Sequence, residues 1–472
     1  MQFSDALYSM IFFNLILLFI ILGLDDLFID IYFWLKRPFP KKYRKEDIDE
    51  ILLIKEKRIA VMIAAWKEED VIGQMLTGNK KNIIYDNYHF FVGVYPNDRE
   101  TQNAVLRAQK KVPNITLVVN EKEGPTSKGQ MLNFVLKEID KTNKENVNKE
   151  TFEFVVFHDC EDMIHPLSLK FLNSFSGKFD FIQIPIFSLS VGKSNLVAGC
   201  YMDEFAECHL KDLPVRLLLT QRFPSAGVGT AMSRKMLDLY KKNKKDIFYE
   251  KSLTEDYILG LTLFDELKSL FFTARIESSF FEKMEKNSWF KNLSLKNKKY
   301  DFLATREFFP KRIIPAIKQR ARWTTGIVFQ GTEIIGFKKK FFDNLFLWRD
   351  RKGLFSSSVV IFSFFYFIFC FSYSIDLGLK MSSFYLIIFI PLLMMINRVL
   401  QRAFFSTLVY GAEFSVYVFF KIILSNIVNF VASWRSFYQY FSGKILKRQL
   451  TWSKTGHEIL TDFGDELKEE IS

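Results

Sequence analysis

Cysteine is scarce in this chain, with 4 among 472 residues. Cys160, Cys200, Cys208 and Cys370 show no CxxC pairing, so neither a disulfide framework nor a zinc site is expected. A glycine-rich phosphate loop is also missing, because EGPTSKGQ at Glu123 to Gln130 lacks the G-x-x-x-x-G-K-[ST] spacing. GVGTAM at Gly227 to Met232 lacks the third glycine of a dinucleotide fingerprint. These absences argue against an NTPase and against a dehydrogenase. The formal net charge is +12, yet no basic-aromatic recognition motif accompanies it. Anionic lipid and an anionic substrate account for that charge better than nucleic acid does. The first apolar run has no basic region before it and no small-residue cleavage site, which argues against a removable signal peptide.

What the chain has in excess is apolar sequence, 49% of its residues with 53 Phe among them. Part of that content belongs in a membrane. Ala6 to Leu24 carries no charge and has roughly the ~20 residues that span a bilayer. Leu354 to Ile375 and Met381 to Ile396 read as two further spans. A fourth stretch, Ala403 to Trp434, is interrupted by Glu413 and Lys421 and reads as an interfacial or re-entrant helix. Basic clusters at Lys36 to Lys45, Arg349 to Lys352 and Arg398 to Arg402 flank the spans. By the positive-inside rule they put the middle region and the tail on the cytoplasmic side of a multi-pass membrane protein.

The middle region alternates strand and helix. RIAVMIA, YHFFVGVYP, ITLVVN, EFVVF and FDFIQIPIF read as strands, with EEDVIGQML and SKGQMLNFVL as helices among them. Such β-α repetition implies a mostly parallel, Rossmann-like α/β sheet, whose ligands bind beyond the carboxyl ends of the strands. Three of those strands run into AAWKE, YPND and HDCED, so Glu68, Asp98, Asp159 and Glu161 should share one edge. One Asp after a strand is commonly a solvated turn. Four carboxylates on one edge repel each other unless a cation or polar ligand sits among them. Asp159 and Glu161, two apart, can offer oxygens to Mg²⁺ or Mn²⁺.

Further along stand LTED at Leu253 to Asp256 and QRARW at Gln319 to Trp323. Taken singly, the first is explained by helix capping with Thr254 as N-cap, and the second by a basic amphipathic helix on a membrane. Together and in this order, Asp98, DCE, TED and QxxRW followed by membrane spans resemble the processive family 2 glycosyltransferases of the cellulose and hyaluronan synthase kind. The segments GLDDLFIDIYFW, YPNDRETQ, GPTSK, PSAGVGT, GIVFQG and LWRDRKG extend the resemblance to inner-membrane members of that family, from about residue 20 to the tail.

The resemblance implies a cytoplasmic GT-A domain inserted between transmembrane α-helices. It also implies a role for each matching residue. Glu68 and Asp98 would hold the uridine of a UDP-sugar donor, and Lys128 would lie near its phosphates. Asp159 and Glu161 would hold the Mg²⁺ or Mn²⁺ that bridges the diphosphate. Asp256, beside Glu255, would be the base that deprotonates a glycan acceptor. Gln319, Arg322 and Trp323 would hold the acceptor end and the leaving diphosphate. Trp452, Lys454 and Thr455 in the tail would fold over the donor as a gating lid. Elementary chemistry asks for the same types, since departing UDP needs cations, an acceptor hydroxyl needs a carboxylate, and a sugar ring stacks on a flat apolar face.

The expected layout is a transmembrane helix over 1–35, a basic linker over 36–57, a GT-A domain over 58–335 and a juxtamembrane segment over 336–353. Two transmembrane helices over 354–401, the interfacial helix over 402–435 and a cytoplasmic tail over 436–472 complete it. No PilZ-like domain is expected within these residues. Three spans are few for enclosing a polymer channel, which points to a homo-oligomer or an export partner subunit beside the membrane lipid. Three function classes stay open: an exopolysaccharide synthase using hexosyl or N-acetylhexosaminyl donors, a single-sugar transferase to a lipid carrier, and an inactive scaffold of an export or receptor complex.

Overall fold

A computed structural model describes residues 3–145, 150–190, 192, 195–283, 299–372 and 381–446. They form two compact units. One comprises Phe39–Ser190 and Gln221–Pro310, and the other Met1–Pro38, Val191–Thr220 and Lys311–Arg448.

The first unit is built on strands. In chain order they are β1 (Lys41–Tyr43), β2 (Ile59–Ala64), β3 (Tyr88–Val94), β4 (Ile115–Val119), β5 (Phe154–His158) and β6 (Phe181–Gln183). There follow β7 (Ile186–Ser188), β8 (Thr230–Ser233), β9 (Ser269–Phe271), β10 (Ala274–Glu277), β11 (Tyr300–Phe302) and β12 (Thr305–Glu307). The central sheet has the order β4-β3-β2-β5-β8-β6-β9. The first four of these are mutually parallel, while β8 runs antiparallel to both β5 and β6. β2 is buried at all six positions, as a continuous apolar strand in a parallel sheet must be when helices cover both faces. One face packs Ile59, Val61, Ile63, Phe90, Val92, Phe154 and Val156 into a single core. On the other face the helix Lys128–Glu145 lies so close that a Cβ on Gly93 would sit 2.5 Å from Val135 and 2.7 Å from Met131.

The run FDFIQIPIF, expected as one strand, is two. Pro185 has no N–H to donate to a ladder, and the chain passes there from β6 in the central sheet to β7, which pairs with β12. The helix expected over Glu68 to Leu76 runs instead from Ile72 to Asn82.

The second unit is helical. Phe3–Lys36, Phe341–Ser372 and Met381–Tyr410 extend well beyond the apolar runs from which they are predicted. The extensions are charged and pair with one another. Lys352 reaches Asp25 at 2.5 Å and Asp26 at 3.1 Å, and Arg349 also pairs with Asp26 and, at 2.7 Å, with Asp212. Thus GLDDLFIDIYFW and LWRDRKG, more than 300 residues apart in sequence, answer each other across one helix interface. The fourth apolar stretch does not begin at Ala403. Ala403 to Tyr410 continue the preceding helix, the break falls at Gly411 with φ +98°, and a separate helix occupies Val418–Ile445. Among the described residues four helices, rather than three, are long and apolar enough to cross a membrane. Residues 195–220 and 311–335 pack with these helices, held by ion pairs such as Arg402 to Glu207 at 2.5 Å and Lys421 to Asp203 at 2.8 Å.

Candidate active site

The carboxyl ends of β2, β3 and β5 carry four of the residues singled out by sequence, Glu68, Asp98, Asp159 and Glu161. Beyond β2 the backbone turns through Lys67 at φ +56° and delivers Glu68, which is buried. Lys67 N–H donates to one Asp98 carboxylate oxygen at 2.6 Å. Thr101 N–H donates to the other at 3.3 Å, making Asp98 the N-cap of the helix Arg99–Gln109. Thr101 Oγ1 in turn accepts the Glu68 N–H at 2.9 Å. Glu68 and Asp98 are therefore fixed to one another through a single buried threonine.

The loop that carries Lys128 is clamped to the YPND turn. Asn97 accepts the Gly124 N–H at 2.8 Å and donates to the Gly124 carbonyl at 2.9 Å, while Tyr95 Oη and Thr126 Oγ1 are 2.7 Å apart. Lys128 then opens its helix with its ammonium 2.7 Å and 2.8 Å from the two oxygens of Asp159. An ammonium held so tightly against this carboxylate is placed to meet a phosphate at the same edge.

Beneath that edge lies Asp162, the third acid of HDCED, fully buried. One of its oxygens accepts the Asp159 N–H at 3.0 Å and lies 2.7 Å from His158 Nδ1. Its carbonyl accepts from the Asn79 side chain at 2.8 Å, and Asn79 accepts the Ile164 N–H at 2.8 Å. Asp162 thus braces the turn that presents Asp159 and Glu161. Burial first, then Glu307 and the two neighbouring acids, push its carboxyl well above the usual range. Burial holds His158 neutral, down at about 3, and pushes the Cys160 thiol up, helped by Glu68, Glu161 and Asp159.

Asp256 and Glu255 begin the helix Glu255–Leu261. Thr254 stands at the N-cap position without a side-chain capping bond, so capping does not explain the TED motif. Gly227 of PSAGVGT has φ +82°, and a Cβ there would fall 2.9 Å from an Asp256 carboxylate oxygen and 3.5 Å from the Phe157 ring. Phe157 in turn lies 4.9 Å beneath the Lys128 ammonium. Lys128 thus joins Asp159 to the Phe157 ring, and beside that ring Gly227 leaves the space next to the Asp256 carboxylate open.

Gln319, Arg322 and Trp323 belong to the helical unit, on Ile313–Thr324. There Arg320 is spoken for, bonded to Glu204 at 2.9 Å and Asn429 at 2.6 Å and lying 4.6 Å over Tyr201. Burial disfavours its charge, but Glu204 and Tyr201 outweigh burial and hold it above the ordinary guanidinium range. By contrast Arg322 Nε and Gln319 Oε1 are buried without a hydrogen-bond partner among the described residues. Trp323 packs against Tyr201 and Phe205 at 6.1 Å and 6.2 Å between ring centres. Trp452, Lys454 and Thr455 lie outside the described residues.

Sequence reasoning missed Asn97, Thr101, Thr126, Asp162 and Gly227 as organisers. All five fall inside YPNDRETQ, GPTSK, HDCED and PSAGVGT, so the signal was present as whole motifs and not as chemistry. Among the described residues no three His, Cys, Asp or Glu side chains form a metal cage. Asp159 and Glu161 are two carboxylates, a set that suits a hard cation taking its remaining ligands from phosphate and water.

Comparison with known proteins identifies the family and the fold. The chain is 33% identical over 483 aligned residues to bacteriophage adsorption protein B of Escherichia coli K12, covering 98% of this chain and 64% of that relative. The chain thus spans under two thirds of that relative's length. A mannosyltransferase from Pyrobaculum calidifontis, solved with GDP-Man and Mn²⁺, superposes with a TM-score of 0.50 at 14% identity, covering 88% of this chain and 99% of that one. That likeness shows the GT-A-like α/β fold. Residues 57–326 match the glycosyltransferase-like family 2, and the chain belongs to that family.

Proposed function

We propose that this protein is an inverting, metal-dependent membrane glycosyltransferase that adds sugar from a UDP-sugar to a growing polysaccharide. The observation that carries this reading is the cluster at the sheet edge, where Glu68, Asp98, Lys128 and Asp159 are each fixed by neighbours and Asp256 is reached through Gly227. Glu68 and Asp98 bind the nucleoside, and Lys128 holds the donor phosphates. Asp159 and Glu161 would hold the Mg²⁺ or Mn²⁺ that offsets diphosphate charge as the sugar departs. Asp256 accepts the proton of the acceptor hydroxyl as that oxygen bonds to the anomeric carbon. The bond from that carbon to the diphosphate breaks on the opposite side, and UDP leaves with the electron pair. Arg322, with Gln319, meets the leaving group, and Trp323 supports the acceptor sugar.

Basic clusters beside the apolar helices support an inner-membrane protein with its catalytic residues on the cytoplasmic side. A homo-oligomer or an export subunit would complete the path of the polymer. The test is to incubate purified protein with a panel of UDP-hexoses and UDP-N-acetylhexosamines, with GDP-mannose as a further arm, and to measure nucleotide release and product length. UDP release with a long product is expected. GDP release alone would overturn the donor assignment, a single added sugar would overturn the polymer, and no release from any donor would overturn the enzymatic reading.

A further inference from the structure

β6 ends at Gln183, just before the chain leaves the central sheet through Ile184 and Pro185. Glutamine is rarely buried completely, and Gln183 is. Such a side chain is tolerated when each of its polar atoms has a partner. Its Nε2 donates to the Val228 carbonyl at 2.9 Å and to the Ile184 carbonyl at 2.8 Å. Its Oε1 accepts the Ala226 N–H at 3.0 Å and the Thr230 hydroxyl at 2.7 Å. A primary amide offers two donors and two acceptor sites, so these bonds saturate it. Carbonyls at one end and a backbone N–H at the other also fix which end is nitrogen, so the amide has a single orientation.

Three of those bonds end in PSAGVGT, at Ala226, Val228 and Thr230. The amide therefore brackets Gly227, holding the residue before it by its N–H and the residue after it by its carbonyl. Ser225 closes the turn from within, because its Oγ accepts the Gly227 N–H at 3.0 Å and stands 2.7 Å from Thr230 Oγ1. Gly227 and Gly229 take φ of +82° and +69°, and the Gly229 N–H donates to the Phe157 carbonyl at 2.8 Å.

The helix Glu255–Leu261 rests on this turn at two points. A Cβ on Gly260 would collide with the backbone of Phe223 and Ser225, and one on Gly227 would fall 2.9 Å from Asp256 Oδ2. Asp256 and Gly260 are four apart and so share one face of the helix. Tyr257 N–H donates to Asp256 Oδ1 at 2.8 Å, while Oδ2 is the oxygen turned toward Gly227.

We infer that Gln183 is a positioning residue for sugar transfer. By holding Ala226, Val228 and Thr230 it sets the gap between the Gly227 backbone and Asp256 Oδ2, the space in which an acceptor hydroxyl, rather than water, meets the carboxylate. The inference rests on the reading of Asp256 as the base. Gln183 itself touches no reacting atom and acts through Gly227. When the turn loosens the gap widens, and water then competes with the acceptor for the base.

The experiment uses the full chain in detergent and the variant Gln183→Met, which keeps the length and bulk of the side chain and removes all four bonds. The kcat of sugar transfer should fall about 10-fold or more, as misplacement at a reacting centre does, while UDP affinity stays at the parent value. UDP released per sugar incorporated should rise, because donor is lost to water. A variant that merely folds less well would lose release and incorporation together and leave that ratio unmoved. Introduced beside Gly227→Ala, Gln183→Met should cost little more, since both act at one contact. Hydrogen exchange gives a reading that needs no donor: amides of residues 224–230 should exchange faster in Gln183→Met, and those of residues 88–109 at the parent rate. Ser225→Ala, which removes one bond within the turn, should show a milder form of each effect and serves if Gln183→Met does not fold. Unchanged exchange at residues 224–230, an unmoved ratio in a folded variant, or independent losses in the double variant would each overturn the inference. Absence of UDP release by the parent would instead overturn the reading of Asp256, and the exchange result tells the two failures apart.

Discussion

Asp256 is the residue on which the chemistry turns, and its setting separates proton transfer from binding. Asp256→Asn removes the base while preserving shape, so kcat should fall by about 10²-fold or more while UDP affinity is retained. Gly227→Ala provides an independent handle. Its methyl would stand 2.9 Å from the Asp256 carboxylate on a backbone at φ +82°, so it should lower kcat in the same direction without touching the nucleotide. Steady-state kinetics beside UDP titration checks both; loss of UDP affinity with turnover intact at saturation would make Asp256 a binding residue. Glu68, Asp98 and Asp159 were legible from sequence because each follows a strand that announces itself. Thr101 and Gly227 were not, because their work is done on partners brought close only by folding.

A second residue-scale expectation concerns pH. Burial lowers the His209 imidazole to about 3, and burial likewise holds His158 at about 3 and His165 well below its ordinary value. Between pH 6.5 and 3 the unfolded chain therefore takes up protons that the folded chain refuses. Stability should fall as pH drops through that window, by up to about 1.4 kcal/mol per unit for each histidine. The Tm in detergent should decrease between pH 7 and pH 5, and His209→Phe should show a shallower decrease. Equal slopes in the two proteins would contradict a neutral buried His209.

Among elements, the helices show best where sequence reading succeeds and where it stops. Apolar runs located the membrane helices, but charge beyond the runs ended the reading too early. Asp25, Lys352 and Arg402 look like stop signals in sequence, and in the structure they pair inside helices that simply continue. The reverse holds at Gly411, a break hidden within an apolar stretch. One prediction belongs to this scale. Arg320→Ala leaves Glu204, on the helix Leu196–Glu207, without the closer of its two cationic partners, Arg402 standing at 3.6 Å, and should cost about 3 kcal/mol of stability. Adding Glu204→Gln should recover part of that loss, because no unpaired charge is then left. Thermal unfolding of the two single variants and the double variant in detergent decides this; additive losses would mean the pair is not coupled.

For the whole molecule, the order of motifs along the chain was enough to expect an α/β domain among membrane helices. The packing of residues 195–220 and 311–335 with the helical unit was not legible, because it rests on contacts invisible to local pattern. The central claim is that Asp159 and Glu161, beside Lys128, handle the diphosphate of a UDP-sugar with the help of a divalent cation. UDP release by the parent and by Asp159→Asn, each with Mn²⁺ and each with EDTA, addresses that claim most directly. The account predicts release by the parent with Mn²⁺ alone, and none from the parent in EDTA or from Asp159→Asn in either condition. Undiminished release by the parent in EDTA, or by Asp159→Asn with Mn²⁺, would contradict it.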